Sequence, residues 1–140
     1  MATFRCAACG AVNRLVLEHP GAVACERCRR PLDLTGRPQP VDAAALVAAI
    51  LACPSPVLVD FSAPGAASPA LLEQARALAG SLLVLSVDPG AEPAATAAYA
   101  VRETPTLVLF ADGAEVGRRA GGGAWPDLPS AVAGPRAAPR

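Results

Sequence analysis

The chain contains no lysine. Its 140 residues carry 12 basic side chains, all arginine, against 12 Asp and Glu, so the formal net charge is zero. That balance argues against a general nucleic-acid binder, which needs a basic surplus to displace counterions from phosphates. The start, Met1-Ala2-Thr3-Phe4-Arg5-Cys6, lacks the apolar segment of a secretory signal. A membrane-length apolar run is also missing. The longest uncharged stretch, Ala43 to Val59, is interrupted by Pro54 and Pro56 and falls short of the roughly 20 residues that a spanning helix needs. The expectation is a cytoplasmic protein with no membrane partner, in a reducing compartment where free cysteines persist. Large apolar side chains are scarcer than the 53% hydrophobic content suggests, because 33 of those 74 residues are alanine and 41 are larger. The chain is still too apolar to be disordered as a whole, and its length suits one domain with a small appendage.

Charge and composition divide it near residue 40. Residues 1–40 hold six Arg against Glu18, Glu26 and Asp33 (6 − 3 = +3). Residues 41–140 hold six Arg against nine acids (6 − 9 = −3). Thr35-Gly36-Arg37-Pro38-Gln39-Pro40 has linker composition. The expected organisation is an appendage over 1–34, a linker over 35–40, a main domain over 41–133 and a frayed or disordered Pro/Ala/Arg-rich tail over 134–140.

The main domain alternates. Asp42 caps a helix running to Cys53, with Leu46, Val47, Ile50 and Leu51 on one face. Val57 to Phe61 reads as a buried strand. Ser68 at the N-cap and Pro69 at the first helical position start a second helix, carried by Leu71, Leu72, Ala75, Leu78 and Ala79 and stopped by Gly80. Leu82 to Val87 is a strand and Pro93 to Tyr99 a short helix. Thr106 to Phe110 pairs with Ala114 to Ala120 through the Asp112-Gly113 turn. A last helix spans Asp127 to Ala133, interrupted by prolines. The order implies an α/β fold with parallel strands and a terminal antiparallel hairpin.

The five cysteines divide as four plus one. Cys6-x-x-Cys9 and Cys25-x-x-Cys28, fifteen residues apart, have the spacing of a zinc ribbon. Two intervening residues let both sulfurs of a knuckle reach one ion, and so small a segment takes its folding free energy from the metal. Four thiolates leave no open coordination position, so the site reads as structural, with one zinc ion. Two disulfides and a rubredoxin-like iron site are the alternatives. Arg27, Arg29, Arg30 and Arg37 surround the second knuckle and read as a solvated face offsetting the thiolate charge, or as a nucleic-acid or acidic-protein contact. His19 reads as a loop residue, since four sulfurs suffice. Cys53, the fifth cysteine, reads as a small hydrophobe.

Zinc ribbon and α/β pattern together resemble the zinc-containing bacterial thioredoxins, the thioredoxin 2 type. Val57-Leu58-Val59-Asp60-Phe61-Ser62-Ala63-Pro64 is similar to the family strand V-V-I-D-F-W-A-P. Thr104-Pro105-Thr106 is similar to its X-Pro-Thr, and Phe110-Ala111-Asp112-Gly113 to its F-x-N-G turn. Gly121 to Gly123 stands where the family has a glycine near its active site. The resemblance implies a thioredoxin-like fold, a central mixed sheet flanked by helices, over roughly residues 4–133. It also implies a cis bond before Pro105 and a peptide-gripping surface around Thr104, Pro105, Gly65 and Ala66.

The departure falls on the chemistry. Where the family motif reads W-C-G-P-C, this chain reads Gly65-Ala66-Ala67-Ser68-Pro69, so both exchange thiols are absent and no catalytic residue is assigned. Ser62 and Ser86 stand where the resemblance implies Trp and Lys. Asp60 stands at the family's buried acid, and Ser68 is explained by capping. The leading expectation is a redox-inactive protein-binding or scaffold module whose partner or client protein is unknown. The alternatives are a thioredoxin-type disulfide reductase working through Cys53 or metal-bound thiolates, and a zinc-ribbon nucleic-acid module.

Overall fold

The computed structural model describes residues 2–16, 22–121 and 125–137. His19, Gly122 and Gly123 lie outside the described residues. Two short strands come first: β1 (Ala2–Arg5) and β2 (Val12–Leu15), paired antiparallel. The main sheet follows, with β3 (Gln39–Pro40), β4 (Val57–Phe61), β5 (Leu83–Val87), β6 (Thr106–Ala111) and β7 (Ala114–Ala120) in the order β3-β5-β4-β6-β7. The β3–β5 and β4–β5 pairings are parallel, and the β4–β6 and β6–β7 pairings are antiparallel. The helices are α1 (Ala43–Ala52), α2 (Pro69–Ala77), α3 (Pro93–Ala98) and α4 (Leu128–Ala137). Among the described residues no helix is long and apolar enough to cross a membrane.

The central strand is buried on both faces, and alternation assigns its side chains. Val57, Val59 and Phe61 pack with Leu46 and Ile50 of α1 and Ala95 of α3. Leu58 packs with Leu71 and Ala75 of α2 and with Leu128 and Val132 of α4. Local signals set the helix starts. The Asp42 carboxylate accepts the Ala45 N–H at 2.8 Å, and Ser68 Oγ accepts the Leu71 N–H at 3.1 Å. Gly80 follows α2 at φ +89°, a left-handed conformation that ends the helix at little cost.

Three expectations change. Val47 and Leu51 are 45% and 72% exposed, while Leu46, Ala49 and Ile50 form the buried face of α1. That helix is apolar nearly all round, so its sequence does not choose a face. The last helix runs to Ala137, so residues 134–137 are helical where a frayed tail was expected. Pro129 sits in its first turn, where a missing N–H leaves no bond unmade. The third change is in the linker-like stretch. Its last two residues are β3, with Gln39 and Pro40 opposite Leu85 and Ser86. An edge is where a sheet tolerates proline.

Residues before β3 lie directly on α2. A Cβ on Gly36, at φ +81°, would stand 2.5 Å from the Ala75 carbonyl oxygen and 2.8 Å from Ala79 Cβ. Gly65, at φ +76°, has nothing within 4 Å of the same point. Both positions strain a side-chain-bearing residue, but only Gly36 adds a collision with backbone. Gly36→Ala should therefore cost roughly 1–3 kcal/mol more than Gly65→Ala in urea unfolding. Equal costs would show that this stretch does not pack as described.

Candidate functional site

The two cysteine knuckles fold alike. The Gly10 N–H donates to the Cys6 carbonyl at 2.8 Å, and the Arg29 N–H to the Cys25 carbonyl at 2.9 Å. The Cys6 N–H donates to Ala11 O and the Cys25 N–H to Arg30 O, both at 2.8 Å. The residue after each second cysteine is left-handed: Gly10 at φ +81° and Arg29 at φ +69°. Glycine meets this demand without strain and arginine does not, so the sequence advertised only the first turn.

These turns bring Cys6, Cys9, Cys25 and Cys28 together, with all four sulfurs within 4.8 Å of one another. Sγ of Cys6 and Cys28 are 3.6 Å apart, and those of Cys9 and Cys25 are 3.7 Å apart. A disulfide needs about 2.05 Å, and all five cysteines are free. A tetrahedron of bonds ~2.3 Å long has edges of about 3.8 Å, so the cluster fits one metal ion.

Residues around Cys25 favour its thiolate, whereas, against the Ala11 backbone N–H, burial and the other three cysteines push the Cys9 thiol up to about 11. The Cys28 backbone N–H pulls the Cys25 thiol down to about 6 against the upward push of burial, aided by the Arg27 N–H and the Asn13 amide. Asn13, 3% exposed, donates to Cys25 Sγ at 3.6 Å and accepts the Glu26 N–H at 3.0 Å. Sequence reasoning missed Asn13, because an asparagine in a β-ribbon carries no metal signal of its own. It missed Arg5 as well, which is 9% exposed. Arg5 Nη1 donates to Gln39 Oε1 while Gln39 Nε2 donates back to the Arg5 carbonyl, both at 2.8 Å. Among the described residues no carboxylate pairs with Arg5, and its Nη2 would lie 3.3 Å from a Cβ on Gly10. A permanent cation thus rests on the first knuckle. Arg37 pairs with Asp33 at 2.9 Å. Arg27, Arg29 and Arg30 are exposed with no carboxylate partner among the described residues.

The second site lies at the C-terminal end of β4. Phe61 stands opposite Thr106, which brings Pro105 beside the loop leading into α2. The Thr104–Pro105 bond is cis. Asp60, Ala66, Pro105 and Gly121 line one small hollow, and the Gly121 N–H donates to the Pro105 carbonyl at 2.9 Å. Thr104, Gly65 and Ala66 are exposed. Asp60 is 2% exposed, and burial raises its carboxyl above the ordinary 3.8, with the Ser62 hydroxyl opposing. The structure thus groups Ala66, Pro105 and Gly121 around one hollow, at a loop that holds no sulfur.

Cys53 is at the other end. It follows α1, is 5% exposed, and its Sγ lies 3.1 Å from Ser55 Oγ, before β4 begins. The five residues of β4 separate it from Pro105 by roughly 17 Å. The ribbon docks toward that far end too. The Thr3 N–H donates to the Gly80 carbonyl at 2.8 Å, and Leu83 just beyond pairs with Val57 at the start of β4.

No family model matches the chain, and no curated protein matches it. Solved structures do. A mutant thioredoxin from Halobacterium salinarum NRC-1 is similar at 28% identity and a TM-score of 0.57, over 73% of this chain and 93% of that one. A cysteine-to-serine mutant of Entamoeba histolytica thioredoxin is similar at 27% identity and a TM-score of 0.54, over 60% and 86%. Plasmodium falciparum thioredoxin shares 20% identity at a TM-score of 0.54, again over 60% and 86%. The fold is thioredoxin-like, an α/β fold with a mixed sheet and flanking helices, and near its N-terminus lie four cysteines that could hold a metal ion.

Proposed function

We propose that this chain is a redox-inactive, protein-binding thioredoxin-like module carrying a structural zinc ribbon. One observation carries the reading. The loop facing cis-Pro105 offers Ala66 and Pro69 where exchange would need two thiols, and Cys53 lies across the sheet. Disulfide exchange requires an accessible thiolate and a second thiol to release the mixed disulfide. A reductase acting through Cys53 would need a buried thiol to reach substrate past the sheet. What remains is an exposed surface at Thr104, Gly65 and Ala66 for an extended segment of a partner protein in the cytoplasm.

Two experiments test this. Insulin reduction by the purified protein should not exceed the dithiothreitol background, whereas the Ala66→Cys/Pro69→Cys double variant should gain turnover, because the surrounding geometry is in place. Thioredoxin-like turnover by the unaltered chain would end the proposal. Partner capture should be lost in Pro105→Ala and kept in Leu51→Ala, on the opposite helix layer.

Zinc is the metal we assign to Cys6, Cys9, Cys25 and Cys28. Held by four thiolates it has no open position, so it supplies folding free energy rather than Lewis acidity. Elemental analysis should give one zinc per chain, and Cys25→Ser should lose the metal and lower Tm. Iron or no metal in the purified protein would overturn the assignment.

Asp60 has no thiol to serve, and its raised pKa makes a stability statement. Between 3.8 and the raised value the folded state holds the proton more tightly than the unfolded chain does. Its stabilising contribution is therefore present at low pH and lost as pH rises through that window. Asp60→Asn should raise Tm at pH 7, with a gain that shrinks as pH falls toward 4. A lower Tm at pH 7 would contradict burial as the dominant cause.

A further inference from the structure

On the side of the loop away from Pro105 lies a cavity of about 680 Å³, bounded by the C-terminal ends of β4 and β5 and by the chain around β3. Its volume falls in the range of small-molecule sites. Pro40, Val41, Pro64 and Leu72 give it apolar walls, and short side chains at Ser62 and Ser86 leave it open. We propose that this cavity binds an organic cation: a protonated amine or guanidine on an apolar body.

The charge pattern selects the sign. Asp60 is at the buried end and Asp88, Glu92 and Asp42 stand around it, while no basic side chain lines the cavity among the described residues. Three of these carboxylates use one oxygen locally. Asp88 Oδ1 accepts the Gly90 N–H at 2.9 Å, Glu92 Oε1 the Ala43 N–H at 3.0 Å, and Asp42 Oδ1 the Ala45 N–H. The second oxygen of each has no donor among the described residues. Asp60 has only the Ser62 hydroxyl beside it, although an ionised carboxylate offers about four lone-pair sites. A buried acid with spare acceptors lining a cavity is satisfied by a donor that brings positive charge.

Other occupants fit less well. An anion would meet four carboxylates. A metal ion needs its ligands gathered, and among the described residues only the cysteine cluster gathers donors closely enough. One side chain of a docked peptide would leave most of this volume empty, so the occupant is a free small molecule. The inference is independent of partner binding at Thr104 and Pro105.

The test uses three probes on one skeleton: 1-naphthylmethylamine, 1-naphthalenemethanol and 1-naphthoate. They are titrated at pH 7 by calorimetry and by amide shifts of ¹⁵N-labelled full-length protein. The ammonium should bind at least roughly tenfold more tightly than the alcohol, as expected for hydrogen bonds to charged groups, and the carboxylate should not bind. Shifts should centre on Gly65, Gly90 and Ala91. The Asp88→Asn/Glu92→Gln variant keeps the carbonyl acceptors that Gly90 and Ala43 use, so it should fold and lose the preference for the ammonium. Ser62→Trp should block binding by filling the cavity. Equal affinity for ammonium and alcohol would overturn the proposal. So would shifts elsewhere, binding by none of the probes, or an unchanged preference in the double amide variant.

Discussion

Burial of β4 on both faces and along both edges is the constraint on which the rest of the molecule depends. All five of its residues are buried, with β5 on one side and β6 on the other. A strand so enclosed needs a helical layer above and below, which fixes α1 and α3 on one face and α2 and α4 on the other. The same burial holds Asp60 away from water and raises its pKa. Where the strand ends, the chain must emerge as a loop and turn back into α2. The antiparallel register of β6 then delivers Pro105 to that loop. The candidate surface is thus a consequence of how one strand is packed.

The ribbon is held by a different balance. Its buried apolar cluster is Phe4, Leu32, Cys6 and Cys25, with partly buried Leu15, Val23 and Leu34 around it and Ala79 from the main domain. Such a core is too small to fold a chain by itself. Two supports compensate. One is a set of four sulfurs spaced to share an ion. The other is docking, through the Thr3–Gly80 hydrogen bond, the ring of Phe4 against Gly80, and the reciprocal Arg5–Gln39 pair. Arg5 serves both. Its guanidinium tethers the ribbon to β3 and sets positive charge over the turn that bears Cys6 and Cys9. The basic excess of residues 1–40 is in this sense local to the cysteine site, with exposed Arg27, Arg29 and Arg30 completing it.

Legibility in the sequence followed the range of the interaction. Caps, turns and alternation act over three or four residues. Asp42, Ser68, Gly80 and the Asp112-Gly113 turn accordingly gave their elements to within a residue or so. The cysteine quartet was legible because ligand spacing is itself a local constraint. Contacts between distant residues were not legible. Arg5 and Gln39 are 34 positions apart, and nothing in a Gly-Pro-rich stretch says that it will pair with β5. The exposed side of α1 was misread because alanines, leucines and a valine surround it on every side. Asn13 was missed because its role exists only once two knuckles converge, and the left-handed turn at Arg29 because arginine does not advertise that conformation. The cis bond and the grouping of Ala66, Pro105 and Gly121 came from resemblance to a family, and periodicity alone would not have produced them.

Two sets of residues shape the C-terminal end of β4. Ala66 and Pro69 leave the loop without sulfur. Ser62, Gly65 and Ser86 leave volume, and on the β5 side that volume is bounded by carboxylates and hydrocarbon. A buried carboxyl with one hydroxyl beside it, as at Asp60, costs stability at neutral pH. Its presence at the end of an otherwise apolar strand is easier to understand if something other than a thiol meets it. Asp60 lines both hollows, so a cation entering from the β5 side would meet it without passing through the hollow at Pro105.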